Sequence, residues 1–221
     1  MEFYDILNDN EKSKILSRVV AHLMGDGCVT KRYFAYYNKN QTLINNFQND
    51  VSTLFENVHF TKGITNSGTT FRMVQNKPIR EFFLTLLEDY KSFSLKMPKF
   101  VNNVNLQKEF LKALYDDEGS VGLRVFKKTG EIKRSITLSS NSLRLISEIK
   151  EILNNSFGIS SNKISIYIKN RDFKVFTNYV LCITSKSNFE KFRDNIGFSH
   201  PEKTKKLDTM INSYIRHNAT K

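Results

Sequence analysis

The sequence contains few of the residues from which disulfide frameworks and zinc sites are built. It has no tryptophan, three prolines, four histidines and only two cysteines, Cys28 and Cys182. Two cysteines are too few for a disulfide framework or a cysteine-based zinc site, and the histidines lack metal-ligand spacing. Any catalytic metal is therefore expected on oxygen ligands.

Long apolar runs are also missing. No stretch approaches the roughly 20 apolar residues that a helix needs to span a bilayer. The first residues, Met1 to Asp5, lack the basic and apolar regions of a signal peptide. We therefore expect an intracellular protein that has no membrane-spanning segment.

Basic charge is what the sequence has in excess. Lys and Arg number 34 against 22 Asp and Glu, which gives a net charge of +12. Such a surplus attracts polyanions, of which nucleic acid and an anionic membrane are the usual ones; the absence of long apolar runs makes a membrane the less expected partner. Charge alone leaves open the alternative of a basic protein that is merely soluble. The 221 residues suffice for one large domain or two small ones.

An internal repeat organises the chain. Residues 12–27 and 106–119 each carry apolar side chains at helical spacing and end in an acid followed by glycine. The two acids are Asp26 and Glu118. The segments after them predict the same succession of elements. In the first half these are a strand-like segment at 28–37, a helix at 41–55, strands near 58–66 and 69–75, and a helix at 78–87. In the second half they are strands at 121–126 and 132–139, a helix at 143–157, strands at 163–169 and 175–184, and helices near 187–195 and 202–217.

The order of these elements predicts the fold class. Each half reads helix, two strands, helix, two strands, helix, and Pro98 interrupts the pattern between the halves. We expect an α/β (α+β) chain of two pseudo-symmetric αββαββα repeats, residues 1–98 and 106–221, joined by a linker at 99–105.

Apolar and polar residues alternate along the strands, which predicts one solvent-exposed face on each sheet. One interpretation is that any half-exposed sheet carries such side chains outward; the other is a surface that reads DNA. Basic groups hold phosphates, and hydroxyl, amide and guanidinium groups reach base edges in the major groove. The recurrence in both halves and the net charge favour DNA. The candidate contacts are Arg72, Arg124, Lys128, Lys133, Thr137, Lys163, Ser165, Tyr167, Lys169 and Arg171.

The acids at the helix ends are locally unfavourable. The macrodipole is negative at the C-terminal end, so a carboxylate there costs about 0.3–1 kcal/mol. A solvated helix end is one interpretation; a divalent cation held by oxygen ligands, such as Mg²⁺, is the other. Ala21, Ala113 and Gly25 are small enough to let the two helices pack closely and bring both acids together.

Two nine-residue segments carry a family resemblance. Val19–Gly27 (VVAHLMGDG) and Leu111–Gly119 (LKALYDDEG) resemble the two signature motifs of a single-chain LAGLIDADG homing endonuclease. The resemblance implies motif helices at the centre of the fold, with a four-stranded antiparallel saddle sheet in each repeat that grips the major groove. It also implies an intron-encoded monomer that cuts both strands of a long DNA site across the minor groove. The cleavage would require Mg²⁺ and leave short 3′ overhangs.

The resemblance also assigns metal ligands. Asp26 and Glu118 match the carboxylate ligands, while Gly25 and Asp117 match residues that contribute backbone carbonyls. It implies two or three Mg²⁺ ions, with Mn²⁺ or Ca²⁺ able to substitute for binding. The side chains of Asp116 and Asp117 are expected to cap or to face solvent.

Further residues match the family's water network. Asn38 and Lys39 match one such location and Ser140 and Asn141 its counterpart, where no lysine is present. The basic residues late in each half are Lys96 and Lys203, for which a plain surface charge is the alternative. His22 departs from an apolar position of the motif, and we expect it to be packed or at an interface.

Two alternatives use the same scaffold. A non-cleaving nucleic-acid binder, such as an intron RNA maturase, is one. Both acids being present favours the enzyme. An intein is not expected, since 221 residues leave no room for a splicing domain and the chain begins Met-Glu.

Overall fold

The computed structural model describes residues 3–87, 90–171 and 174–214, with the side chains of 3, 4, 169–171 and 174 excepted. The first repeat runs α1 (Phe3–Asn8), α2 (Asn10–Met24), β1 (Gly27–Val29), β2 (Phe34–Asn38), α3 (Gln41–Leu54), β3 (Thr61–Ile64), β4 (Thr70–Val74) and α4 (Lys77–Leu86). The second runs α5 (Val104–Glu118), β5 (Gly119–Val125), β6 (Ile132–Ser140), α6 (Leu143–Phe157), β7 (Ser165–Arg171), β8 (Lys174–Ile183), α7 (Lys186–Asn195) and α8 (Pro201–Asn212).

Both repeats have the same sheet topology. The strand orders are β1-β2-β4-β3 and β5-β6-β8-β7, and all neighbours are antiparallel. This confirms the expected α+β class with two pseudo-symmetric four-stranded sheets. In the described part of the chain no helix is both long and apolar enough to cross a membrane.

The local signals that begin and end the helices lie where the sequence indicates. Asp9 and Asn103 cap α2 and α5 by accepting backbone N–H groups of the first turn. Gly158 ends α6 in the left-handed conformation, with φ of 60°, which glycine adopts without steric cost.

Several elements differ from the predictions. Helix α1 was not expected; the Ser13 hydroxyl fixes it against α2 by donating to the carbonyls of Ile6 and Leu7, both at 3.0 Å. The strand-like segment 28–37 is two strands, because Thr30 and Tyr33 close a turn between them. Helix α8 ends at Asn212, and residues 215–217 of the predicted 202–217 helix lie outside the described residues.

The two motif helices, α2 and α5, pack extensively against each other. Each large side chain that is fully buried contributes about 1.5–3 kcal/mol. This contact joins the two repeats.

One face of each sheet packs on helices and the other is open. Tyr36 contacts Phe47 of α3, with ring centroids 4.9 Å apart, and Phe34 contacts Phe83 of α4 at 5.0 Å. In the second sheet Ile136 and Leu138 are buried in the same way. The opposite faces carry the alternate residues of each strand.

Arg18 ties the two repeats together through its charge. Its guanidinium donates to both carboxylate oxygens of Asp50 on α3, at 2.8 and 2.9 Å, and to Glu109 on α5 at 2.8 Å. These groups raise the pKa of Arg18 further, against the effect of burial. The planar guanidinium group has enough N–H donors to bond both carboxylates at once.

We expect Arg18→Lys to lower the free energy of unfolding by about 1–2 kcal/mol, because one ammonium group cannot replace the three bonds. Arg193→Lys is the matched control: its guanidinium donates to Asp194 at 2.8 Å, but the side chain is 42% exposed. That change should cost less than about 0.5 kcal/mol. Urea denaturation of both variants tests this, and equal losses would contradict it.

Candidate active site between the motif helices

Asp26 and Glu118 lie at neighbouring ends of the two motif helices. Asp26 follows α2, and Glu118 is the last residue of α5. Burial, and then the charge of Asp117, raises the pKa of Asp26 to about 6. Burial, and then the charges of Asp26 and Asp117, raises the pKa of Glu118 to about 7. The predicted pair of acids is thus close enough for their charges to interact.

Asp26 is held by the end of strand β2. The amide of Asn38 donates to its carboxylate at 2.9 Å, and the backbone N–H of Tyr37 donates to its carbonyl at 3.2 Å. Lys39, the next predicted site residue, is exposed beside them. The structure therefore brings Asn38 to the acid directly.

The sequence allowed the side chain of Asp117 either to cap or to face solvent, and in the structure it does not face solvent. Its side chain has 0% exposure and accepts from Tyr36 Oη at 2.6 Å, with His22 Nδ1 at 2.9 Å. Burial alone would lower the pKa of His22, but Asp117 raises it overall. His22 is 3% exposed, which confirms the expectation of a packed histidine.

Asp116 has the capping role that was the other expectation. It is 2% exposed and accepts the backbone N–H groups of Ser199 and His200, at 3.0 and 2.9 Å. Burial raises the pKa of Asp116 even though these amides lower it. The carboxylate anchors the start of α8 to the second motif helix.

Lys203, on α8, reaches the end of α5. Its Nζ donates to the carbonyls of Tyr115 at 3.1 Å, Asp117 at 3.4 Å and Asp116. A cation there satisfies unpaired carbonyls and suits the helix dipole. Burial lowers the pKa of Lys203, although the neighbouring acids, Asp26 and Glu118 among them, act to raise it.

Lys96 lies in the loop before α5 and is half-buried. The backbone N–H of the next residue, Met97, donates to Glu148 of α6 at 2.7 Å, which fixes this part of the loop. The backbone next to Lys96 is thus fixed to α6.

The second half of the site is arranged differently. Glu118 and Gly25 line a cavity of about 110 Å³ together with Ser140, Asn141 and Asn178. Asn178, on β8, was missed; its signal is an amide side chain within a strand that is mostly apolar. The Ser140 hydroxyl accepts from the backbone of Ser142 at 3.1 Å, and the Asn141 amide is 3.4 Å from Ser92. Ser140 is thus bonded within its own loop, whereas Asn141 contacts the segment that follows α4.

The donor set suits Mg²⁺. The two carboxylates resist ionising beside each other, and a divalent cation would relieve that conflict. Among residues 3–87, 90–171 and 174–214 no three His, Cys, Asp or Glu side chains cluster to hold a metal. Mg²⁺ commonly keeps several waters and takes one or two carboxylates plus phosphate oxygens. The residues present therefore fit it.

Five of the ten predicted DNA contacts lie on the open face of the second sheet. Arg124 and Lys133 are paired across β5 and β6, and both stand over the Phe126 ring, at 4.8 and 4.9 Å. Thr137, Ser165 and Tyr167 share this face by register. Lys128 is exposed in the turn between β5 and β6, and Lys163 is exposed in the loop before β7. The side chains of Lys169 and Arg171 lie outside the described residues.

The prediction for Arg72 is wrong. It is 9% exposed and points toward α3, where its Nε donates to Gln48 at 2.7 Å. It pairs across the sheet with the buried Tyr36, whereas the open face of β4 carries Phe71 and Met73. Alternation was assigned to the wrong face, because an arginine with a helix partner can occupy an inward position.

Known proteins share parts of this sequence. Residues 105–197 match the family model of the LAGLIDADG-like domain. The Replication factor C small subunit of Methanocaldococcus jannaschii is 27% identical over 211 residues, which cover 94% of this chain and 11% of that protein. The chain therefore spans only a small part of that relative.

Solved structures share its fold. "The crystal structure of I-DmoI in complex with DNA and Mn" is 20% identical with a TM-score of 0.58, covering 85% of this chain and 98% of the other. "The homing endonuclease I-WcaI bound to its DNA recognition sequence" is 16% identical, with a TM-score of 0.56 and coverages of 88% and 86%. The N-terminal LAGLIDADG domain of DUF199/WhiA is 13% identical, with a TM-score of 0.57 and coverages of 90% and 92%.

At these identities the structures show the fold, while the sequence match extends through most of the second repeat. The chain thus has the two-repeat fold of these LAGLIDADG structures, and residues 105–197 match the model of the LAGLIDADG-like domain family.

Proposed function

We propose that the chain is a homing endonuclease that binds a long site in double-stranded DNA and hydrolyses both strands across the minor groove, leaving short 3′ overhangs. The observation that carries the proposal is the pair of acids, Asp26 and Glu118, with raised pKa values at adjoining helix ends between the two sheets. One acid per repeat matches one scissile phosphate per strand.

Each residue has a proposed role. Asp26 and Glu118 would hold two or three Mg²⁺ ions, with the carbonyls of Gly25 and Asp117 as further ligands. Bound divalent ions supply charge that holds a phosphate, activates water and stabilises a leaving oxygen. Structures of the neighbour I-DmoI contain Mn, Ca or Mg with DNA, which supports a divalent cofactor.

The basic groups would act on the phosphates. Lys203 lies nearest the acids, so its charge offsets theirs and orients the end of α5. Lys39 and Lys96 are proposed to order water around the reacting phosphates. Arg124 and Lys133 would hold the DNA backbone, and Thr137, Ser165 and Tyr167 would face base edges.

The proposed assembly is simple. Repeats 1–98 and 106–221, joined at 99–105, would form one intron-encoded monomer that acts inside the cell on double-stranded DNA. A non-cleaving nucleic-acid binder is the second candidate, favoured by the likeness to the LAGLIDADG domain of DUF199/WhiA.

Cleavage should depend on both acids. We expect Asp26→Asn and Glu118→Gln each to slow cleavage of DNA selected from a library of long sites by at least about 100-fold, with DNA binding retained. Glu56→Gln, an exposed acid at the end of α3, is the control. Unchanged cleavage in both variants would refute the site assignment. Tight binding of intron RNA without cleavage by the unaltered protein would favour the second candidate.

The open face should determine the salt dependence of DNA binding. We expect Arg124→Ala and Lys133→Ala each to reduce the slope of log affinity against log salt by about one, since each removes one phosphate contact. Lys186→Ala, on α7 and paired with Glu190, should leave the slope unchanged. Fluorescence anisotropy at several salt concentrations measures this, and equal slopes in all proteins would count against this face.

Charging of the two acids should lower stability in the absence of metal. Their pKa values are raised in the folded protein, to about 6 and about 7 from 3.8 and 4.5, so the folded state binds more protons than the unfolded one. The free energy of unfolding should therefore fall as pH rises from about 4 to about 7. Relative to wild type, the Asp26→Asn/Glu118→Gln double variant should gain in melting temperature over that range. Parallel curves for the two proteins would contradict the raised pKa values.

A further inference from the structure

Asp117 belongs to the second motif but its carboxylate is bonded in the first repeat. The side chain is fully buried and is bonded by Tyr36 of β2, with His22 of α2 beside it. Gly25 makes room for it, because a Cβ on residue 25 would lie 2.8 Å from both Cβ and Oδ2 of Asp117. The carboxylate therefore lies against the turn that precedes Asp26.

A chain of hydrogen bonds runs from this carboxylate to Asp26. Tyr36 Oη donates to Asp117 Oδ1 at 2.6 Å and accepts from Asn38 Nδ2 at 3.1 Å. The same Nδ2 donates to Asp26 Oδ2 at 2.9 Å. The Asn38 carbonyl oxygen accepts the backbone N–H of Asn40 at 2.9 Å, which fixes the amide with its amino group toward the acid.

Glu118 has no such support. Within the described ranges its carboxylate has no hydrogen-bond partner, and it borders the cavity of about 110 Å³. Ser140, at the place that corresponds to Asn38, is shorter and bonds its own loop. One acid is thus fixed through three side chains, and the other has no hydrogen bond of this kind among the described residues.

We infer that Asp117 and Tyr36 are positioning residues that hold Asp26 through Asn38, so that the two halves of the site cut their strands with unequal dependence on this chain of bonds. The inference rests on the proposed nuclease function. A carboxylate held in place keeps its ligand geometry through the reaction, whereas a loosened one loses rate through misplacement. Loss of the Tyr36 hydroxyl should therefore slow one strand and spare the other.

Tyr36→Phe is the most direct variant, because it removes one hydroxyl and leaves Asp117 paired with His22. Tyr115→Phe is the matched control: this tyrosine is also fully buried, but its hydroxyl has no partner among the residues that the structure describes. Asp117→Asn, which keeps the size of the side chain, is the second variant if Tyr36→Phe does not fold.

The measurement is the rate for each strand of a target labelled differently at its two 5′ ends, with Mg²⁺ and the full chain. We expect Tyr36→Phe to slow one strand about tenfold and the other less than about twofold, so that nicked DNA accumulates. Asp117→Asn should slow the same strand, and Tyr115→Phe should match wild type.

The outcomes separate the two levels of the argument. Equal slowing of both strands, or no slowing, in a folded Tyr36→Phe protein would overturn the inference while leaving the nuclease intact. If wild type cuts neither strand of any selected target, the proposed function fails and the inference with it. A drop in melting temperature with unchanged strand rates would assign Tyr36 a structural role only.

Discussion

The contact between α2 and α5 is the constraint on which the rest of the structure depends. It joins the two repeats, places both sheets beside each other and brings two acids to one place. Small residues make it possible: Ala21 and Ala113 are buried within it, and Gly25 leaves space for the side chain of Asp117. A larger residue at any of these positions would separate the helices, and the site with them.

Close packing creates an electrostatic cost that the surrounding residues offset only in part. Asp116 is satisfied by the backbone at the start of α8, and Asp117 by Tyr36 with His22 beside it. Lys203 occupies the carbonyls at the end of α5. Asp26 and Glu118 are left with raised pKa values, so the protein retains a local demand for positive charge where the two repeats meet. A cation is complementary to the acids because of its positive charge. A phosphate backbone is complementary to the cation and to the basic sheet because of its negative charge.

Local signals in the sequence were enough to predict the fold and the pair of acids. The helical spacing before Asp26 and Glu118, the alternating strands and the capping residues all depend on a few neighbours, and the structure places them as expected. Contacts made across the chain were not predictable. Arg72 turned inward because Gln48 on α3 accepts its guanidinium, and Asp117 is buried because Tyr36, 81 positions away, meets it. Asn178 joins the cavity only through the pairing of β8 with its neighbours. Helix α1 packs on α2 through the buried Ile6 and the Ser13 hydroxyl, a contact that no periodicity signals.

The central claim is that the two repeats share a metal site at the foot of their packed helices. The most direct measurement is the anomalous scattering of Mn²⁺ in crystals of the protein bound to a selected DNA target. The account predicts Mn²⁺ density within bonding distance of a carboxylate oxygen of both Asp26 and Glu118 and of a DNA phosphate. Density elsewhere on the chain, or the two carboxylates turned away from the DNA, would contradict it.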